Sequence, residues 1–206
     1  MKAPGPDGIV VPVLFHASGS SCAGKTTVLP ALRRLPSLAV HDADELGVPS
    51  DADTAWRQSS LERWVRFALE RQAEGVDLLL AGQSPLGELL ACPSAPRLDG
   101  LAVCLLDVED DVRLARLRAR DGDRWDAAAL DAFVGWGRWH RAHAADPRHH
   151  PEVVTTGGWA PMRWDRWSDW TAGDPRWAVE TLDTTRTGPD AVAGRLAGWV
   201  TRRRGR

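Results

Sequence analysis

The chain predicts a three-layer α/β fold, a parallel sheet flanked by helices on both faces, on three observations. Short, wholly apolar runs such as Val76–Ala81 and Leu101–Leu106 read as strands buried on both sides. Longer stretches with helical character, Thr54–Glu74 and Asp126–Ala145 among them, alternate with these runs. A glycine-rich turn, Gly19–Thr26, joins the first apolar run to the first helix. In such a sheet the ligand site lies at the carboxyl ends of the strands.

The elements follow in order. Ile9–His16 is the first strand, and Thr26–Leu35 reads as a helix in spite of Pro30. Ser37–His41 is a second, short strand; Thr54–Glu74 is a long helix stopped by Gly75; Val76–Ala81 is the third strand. Leu101–Leu106 gives the fourth strand, followed by helices at Glu109–Arg120 and Asp126–Ala145. Trp177–Leu182 is the last strand, and Pro189–Arg202 a closing helix with proline at its first position. No internal repeat is evident. With 206 residues and 43% hydrophobic content the chain can bury one sizeable core, so a single domain spanning 1–206 is expected, carrying a Trp-rich insertion around 125–177.

Composition removes several classes of function. A formal net charge of −2 argues against a general nucleic-acid binder, which needs a basic face for phosphates. Cys22, Cys92 and Cys104 are odd in number and show no paired spacing, as in a reducing compartment. No run reaches membrane-spanning length and no signal-peptide pattern precedes the first strand, so a soluble, cytoplasmic protein is expected.

The strongest motif is Gly19-Ser20-Ser21-Cys22-Ala23-Gly24-Lys25-Thr26, a complete G-x-x-x-x-G-K-T phosphate loop between a strand and a helix. Lys25 is one of two lysines, against twenty-four arginines. A compact ammonium on a flexible stem reaches between β- and γ-phosphates, where a guanidinium fork is the wrong shape. Residues 19–27, through Thr27, are therefore expected to cradle the phosphates of a nucleotide, with the Thr26 hydroxyl placed to hold Mg²⁺.

Asp42 and Asp44 follow the second strand, beside the phosphate loop in a fold of this class. Two apart on an extended chain, both can face the site, where a carboxylate can accept a proton from a hydroxyl or bind Mg²⁺ through water. The helix after the fourth strand carries Arg113, Arg116, Arg118 and Arg120. Arg116 and Arg120, four apart on one face, are expected to reach the phosphates; Arg113 and Arg118 are expected on the exposed side, pairing with Glu109, Asp110 and Asp111. The third strand ends in Gly82-Gln83, and the Gln83 amide can offer both donor and acceptor to a substrate. Trp56 and Arg57, soon after the acidic pair, are placed to close over an acceptor. Eight of the eleven tryptophans lie between Trp125 and Trp177; they either line a pocket for a flat or apolar acceptor or pin an irregular insertion to the core. His140, His143, His149 and His150 lack the partners of a tetrahedral metal site and read as surface or hydrogen-bonding histidines.

Taken together, the phosphate loop, the Asp42/Asp44 strand end and Leu106-Asp107-Val108 leading to Arg116 and Arg120 resemble the P-loop small-molecule and nucleotide kinases: adenylate-kinase-like, shikimate-kinase-like and chloramphenicol-phosphotransferase-like enzymes. Ala119-Arg120-Asp121-Gly122-Asp123-Arg124 is similar to the arginine-bearing lid stretch of the last group. The resemblance implies a three-layer P-loop NTPase fold, ATP and Mg²⁺ as cofactors, and transfer of the γ-phosphoryl group to a small molecule or nucleotide. It assigns Lys25 to the transferred group, Thr26 to the metal, Asp42 or Asp44 to the base, with Asp44 favoured, and Arg116 and Arg120 to the lid. One departure is Gly82-Gln83, where many P-loop enzymes carry a metal-supporting aspartate; that support then falls to Asp42 or Asp44. An NTP-hydrolysing switch or motor, and a nucleic-acid end kinase or nucleotide-binding regulatory protein without a small-molecule acceptor, are the competing classes. A guanine-specific N/T-K-x-D element is impossible, because no lysine follows Lys25.

Overall fold

A computed structural model describes residues 11–204. Five strands form one all-parallel sheet: β1 (Leu14–Ser18), β2 (Leu38–Asp42), β3 (Asp77–Gly82), β4 (Leu101–Asp107) and β5 (Val179–Asp183), in the order β2-β3-β1-β4-β5. Every residue of β1 and β3 is buried, as expected of central strands covered on both faces. The first strand starts later than its apolar run suggests: Val11–Val13 lie outside it, and Ile9 and Val10 fall outside the described residues. The last strand is also shifted, with Trp177 serving the core ahead of it.

One face is covered by α1 (Lys25–Leu32) and α7 (Pro189–Arg204). Phe15, Ala17, Leu29, Leu79, Leu106, Leu196 and Trp199 pack together there, with Phe15 edge-on to Trp199 at 5.3 Å. Pro30 stays inside α1, eight residues long, where it removes only the hydrogen bond to the Thr26 carbonyl. The other face carries α2 (Thr54–Ala73), begun by the Asp53 carboxylate accepting from the Trp56 amide, and α3 (Leu86–Ala91), a helix the periodicity does not single out.

Beyond β4 come α4 (Asp110–Asp121), α5 (Ala127–Ala145) and the short α6 (Glu152–Thr155). The tryptophans of residues 125–177 largely join the core of the second face: Trp167 and Trp177 are buried beside Trp64, Leu78 and Leu86. The two buried indoles donate to backbone carbonyls, Trp167 to Gly87 (2.9 Å) and Trp177 to Ala144 (3.1 Å), so both of these N–H groups are matched. A side chain at Gly87 would strike Trp167 at 2.8 Å. Among the described residues no helix is long and apolar enough to cross a membrane.

Register brings three strand ends together. Ser18 is level with Gly82, and Asp42 with Ala81, so the chain leaves β1, β2 and β3 at one common edge. The phosphate loop, the acidic pair and Gln83 all emerge there.

Candidate active site

The loop from Gly19 to Gly24 turns β1 into α1. Its glycines are needed for different reasons: a Cβ on Gly19 would sit 2.6 Å from the Leu106 carbonyl oxygen, while Gly24 caps α1 in the left-handed region at φ 93°. Cys22 also takes positive φ, 62°. Lys25 folds back, its ammonium donating to the carbonyls of Gly19 (2.7 Å) and Ser20 (3.0 Å). The residue keeps some solvent contact, but the loop encloses its ammonium, and burial lowers its pKa from 10.5 to about 8, partly offset by Asp42 and Asp44.

The two acids play different parts. Asp42 ends β2 and caps the 3₁₀ turn Ala43–Leu46; one carboxylate oxygen accepts from the Asp44 amide (3.1 Å) and the other from the Thr26 hydroxyl (2.8 Å). A hydroxyl and a carboxylate oxygen side by side are the hard donors a Mg²⁺ ion takes. Among the described residues the carboxylate of Asp44 has no hydrogen-bond partner, and burial, then the neighbouring Asp42 charge, raises its pKa. Both face a cavity of about 670 Å³ lined by Ser21–Val28, Asp42, Asp44, Gly82, Gln83, Arg116 and Arg120, extending to Thr184, Thr187, Pro189 and Val192 beyond β5.

The arginines of α4 depart from expectation. Arg113, expected on the exposed side, is completely buried. Its guanidinium donates to the Ser20 hydroxyl, to the Ser21 carbonyl (2.7 Å) and to the Val108 carbonyl (3.1 Å), with Asp107 3.6 Å away. Gly137 of α5 lies flat against it; a Cβ there would come 2.7 Å from the guanidinium. The reading failed because the i, i+4 rule selects a helix face without saying which face meets the loop. The nearby missed signal is Gly137 itself, a glycine inside a helix where only close packing explains it.

Arg116 reaches the loop as well, donating to the Cys22 carbonyl (3.2 Å) and to the Thr184 carbonyl (2.7 Å), so it ties the loop to the end of β5. Arg120 stands at the cavity wall, half-exposed and held by both oxygens of Asp121 (2.7 Å each). Arg118 is exposed, as expected.

Trp56 and Arg57 do not line the cavity. Arg57 turns inward to the wholly buried Glu88 (2.6 Å) and stacks over Trp136 (5.1 Å), drawn there by a carboxylate on a helix the sequence does not announce. No tryptophan of residues 125–177 lines the cavity either; their place is packing. Of the four histidines, His140 is buried against the Ser18 hydroxyl (2.9 Å), His143 stacks on Trp139 (4.6 Å), and His150 pairs with Glu152 at the surface (2.8 Å). Cys22, within the same loop, has its thiol pKa raised by burial.

No protein-family model matches the chain, and no curated protein resembles it significantly in sequence. Solved structures share its fold. An unliganded sugar kinase from Janibacter sp. HTCC2649 superposes with a TM-score of 0.57 at 17% identity, covering 93% of this chain and 95% of that one. Shikimate kinase from Acinetobacter baumannii, in complex with shikimate, gives 0.55 at 13% identity over 93% and 94%. A putative kinase from Chloroflexus aurantiacus gives 0.51 at 16% identity over 95% and 99%. The chain therefore has the three-layer P-loop fold in which these proteins are built.

Proposed function

We propose that the chain, acting as one domain, is an ATP-dependent kinase that transfers the γ-phosphoryl group to the hydroxyl of a small molecule. The observation that carries this is Asp44, a carboxylate without a hydrogen-bond partner among the described residues, in the same cavity as a complete phosphate loop. A simple nucleotide-binding loop has no use for such a group.

ATP would lie with its phosphates along residues 19–27 and its base toward Thr187 and Pro189. Lys25 exchanges its two carbonyl partners for β- and γ-phosphate oxygens. Thr26 and Asp42 would hold Mg²⁺, which neutralises phosphate charge when bound. Asp44 takes the proton of the acceptor hydroxyl as its oxygen bonds to the γ-phosphorus. The bond from that phosphorus to the bridging oxygen breaks, and ADP leaves. Arg120, freed from Asp121, supplies positive charge against the negative charge on the transferring oxygens, while Arg116 and Arg113 keep the loop in shape.

The test is ATP consumption with and without candidate acceptors. Lys25→Ala should abolish transfer with the fold intact, and Asp44→Asn should lower turnover about 10²–10⁴-fold with ATP affinity kept. Asp42→Asn should act instead through the Mg²⁺ requirement. Hydrolysis that ignores every acceptor and survives Asp44→Asn would overturn the reading.

A further inference from the structure

The acceptor half of the cavity differs in charge from the nucleotide half. Arg113, Arg116 and Arg120 all sit on α4, grouped with the phosphate loop. Across the cavity the lining is Asp42, Asp44, Gly82 and Gln83: two carboxylates, a backbone and a neutral amide. The chain that frames this end, from the close of β2 to the start of α2, holds no lysine or arginine between Arg34 and Arg57, but it holds Asp42, Asp44, Glu45, Asp51 and Asp53. Glu45 is matched by His41 and Arg33, whereas Asp51 and Asp53 stand at the exposed surface.

Of the arginines that flank this stretch among the described residues, Arg33 pairs with Glu45 and Arg57 is committed elsewhere. The Arg57 guanidinium makes two hydrogen bonds to Glu88 (2.6 and 3.2 Å), and Glu88 is wholly buried. Swinging Arg57 to an anionic ligand would leave that carboxylate with Gln58 alone, and a buried charge stripped of its partner is strongly destabilising.

We infer that the acceptor carries no phosphate or carboxylate group: it is a neutral or amine-bearing alcohol. A nucleoside monophosphate or a sugar acid would bring a second anion toward Asp44, next to the γ-phosphate, while Lys25, Arg116 and Arg120, the cations that line the cavity, are engaged with the loop and the transferred phosphate. A neutral alcohol gives its hydroxyl to Asp44 and its other polar groups to Gln83. This rests on the kinase reading.

Two measurements test it. The first compares binding of ATP with that of di(adenosine) pentaphosphate, whose second adenosine and phosphate would enter the acceptor end. The expected result is a Kd no tighter than that of ATP; about hundredfold tighter binding would overturn the inference. Asp51→Lys, remote from the phosphates, should tighten the pentaphosphate by a few-fold at low salt and leave ATP unchanged. The second measurement offers AMP, gluconate and shikimate as acceptors. No transfer above the Lys25→Ala background is expected, and sustained transfer to any of the three would overturn the inference while leaving the kinase reading standing. Failure of ATP itself to bind would break the kinase reading instead.

Discussion

The face of the sheet under α1 and α7 is closed by an almost entirely apolar cluster, whereas the face under α2, α3 and residues 125–177 buries His16, Gln58, Glu62, Glu88, His140 and His143 among its tryptophans and leucines. The alternation of β1 makes the division: Phe15 and Ala17 point to the first face, while Leu14 packs on the second, with His16 and Ser18 bonded to Ser84 there. The first face depends on area and shape alone. The second depends on matched polar pairs, each costly to unmatch, and it supports the acceptor side of the cavity.

Acid should separate the two faces most strongly. Burial pulls His16 and His143 from the ordinary 6.5 down to about 4, so the unfolded chain takes up protons first as the pH falls. Their contribution is complete above about pH 6.5 and is lost as the pH drops toward 4, on the order of 3 kcal/mol for each imidazole. Urea unfolding at pH 7.5 and 4.5 measures it. Leu196→Ala on the apolar face should cost the same at both pH values, and a decrement that changed with pH would break the contrast.

Glu88→Ala should come next, at about 3–5 kcal/mol, because it leaves Arg57 and the Gln58 amide inside without their carboxylate. Double substitution with Arg57→Met should recover part of the loss. If the double variant is no better than the single, the pair is not coupled. Arg113→Ala is expected to cost about 3 kcal/mol and to weaken ATP binding, since Ser20 and Ser21 lose the group that holds them. Arg118→Ala, exposed on the same helix, should stay within about 0.5 kcal/mol in the same denaturation experiment. Trp167→Phe should have the smallest effect on the polar face, about 1 kcal/mol, by leaving the Gly87 carbonyl unmatched.

The same division explains what could be read from the sequence. The strands, the loop and the acid pair were legible because glycine chemistry and apolar runs act locally: Gly24 needs its φ of 93° wherever the rest of the chain goes. The polar face was not, because its logic lies in pairs far apart in the chain. Arg57 meets Glu88, Gln58 meets Val154, and Arg113 meets Ser20, and no spacing rule connects any of them. Trp56 was misplaced for the same reason: being close to Asp44 in sequence does not turn an indole toward it. The tryptophan segment left pocket and packing both open because Gly, Pro and Asp break its periodicity; in the fold its irregular turns present indoles to the core.

Lys25 has a practical side. With burial holding its pKa near 8, a large share of its amine is uncharged in mildly alkaline solution, and an uncharged amine is a nucleophile. The chain has only one other lysine, Lys2. An acylating reagent should therefore mark this protein at very few places, with Lys25 modified near pH 8 and shielded once a nucleotide fills the loop. The arginine-rich composition thus leaves the Gly19–Thr26 loop as a chemically addressable handle, whose occupancy by a nucleotide can be read by peptide mass.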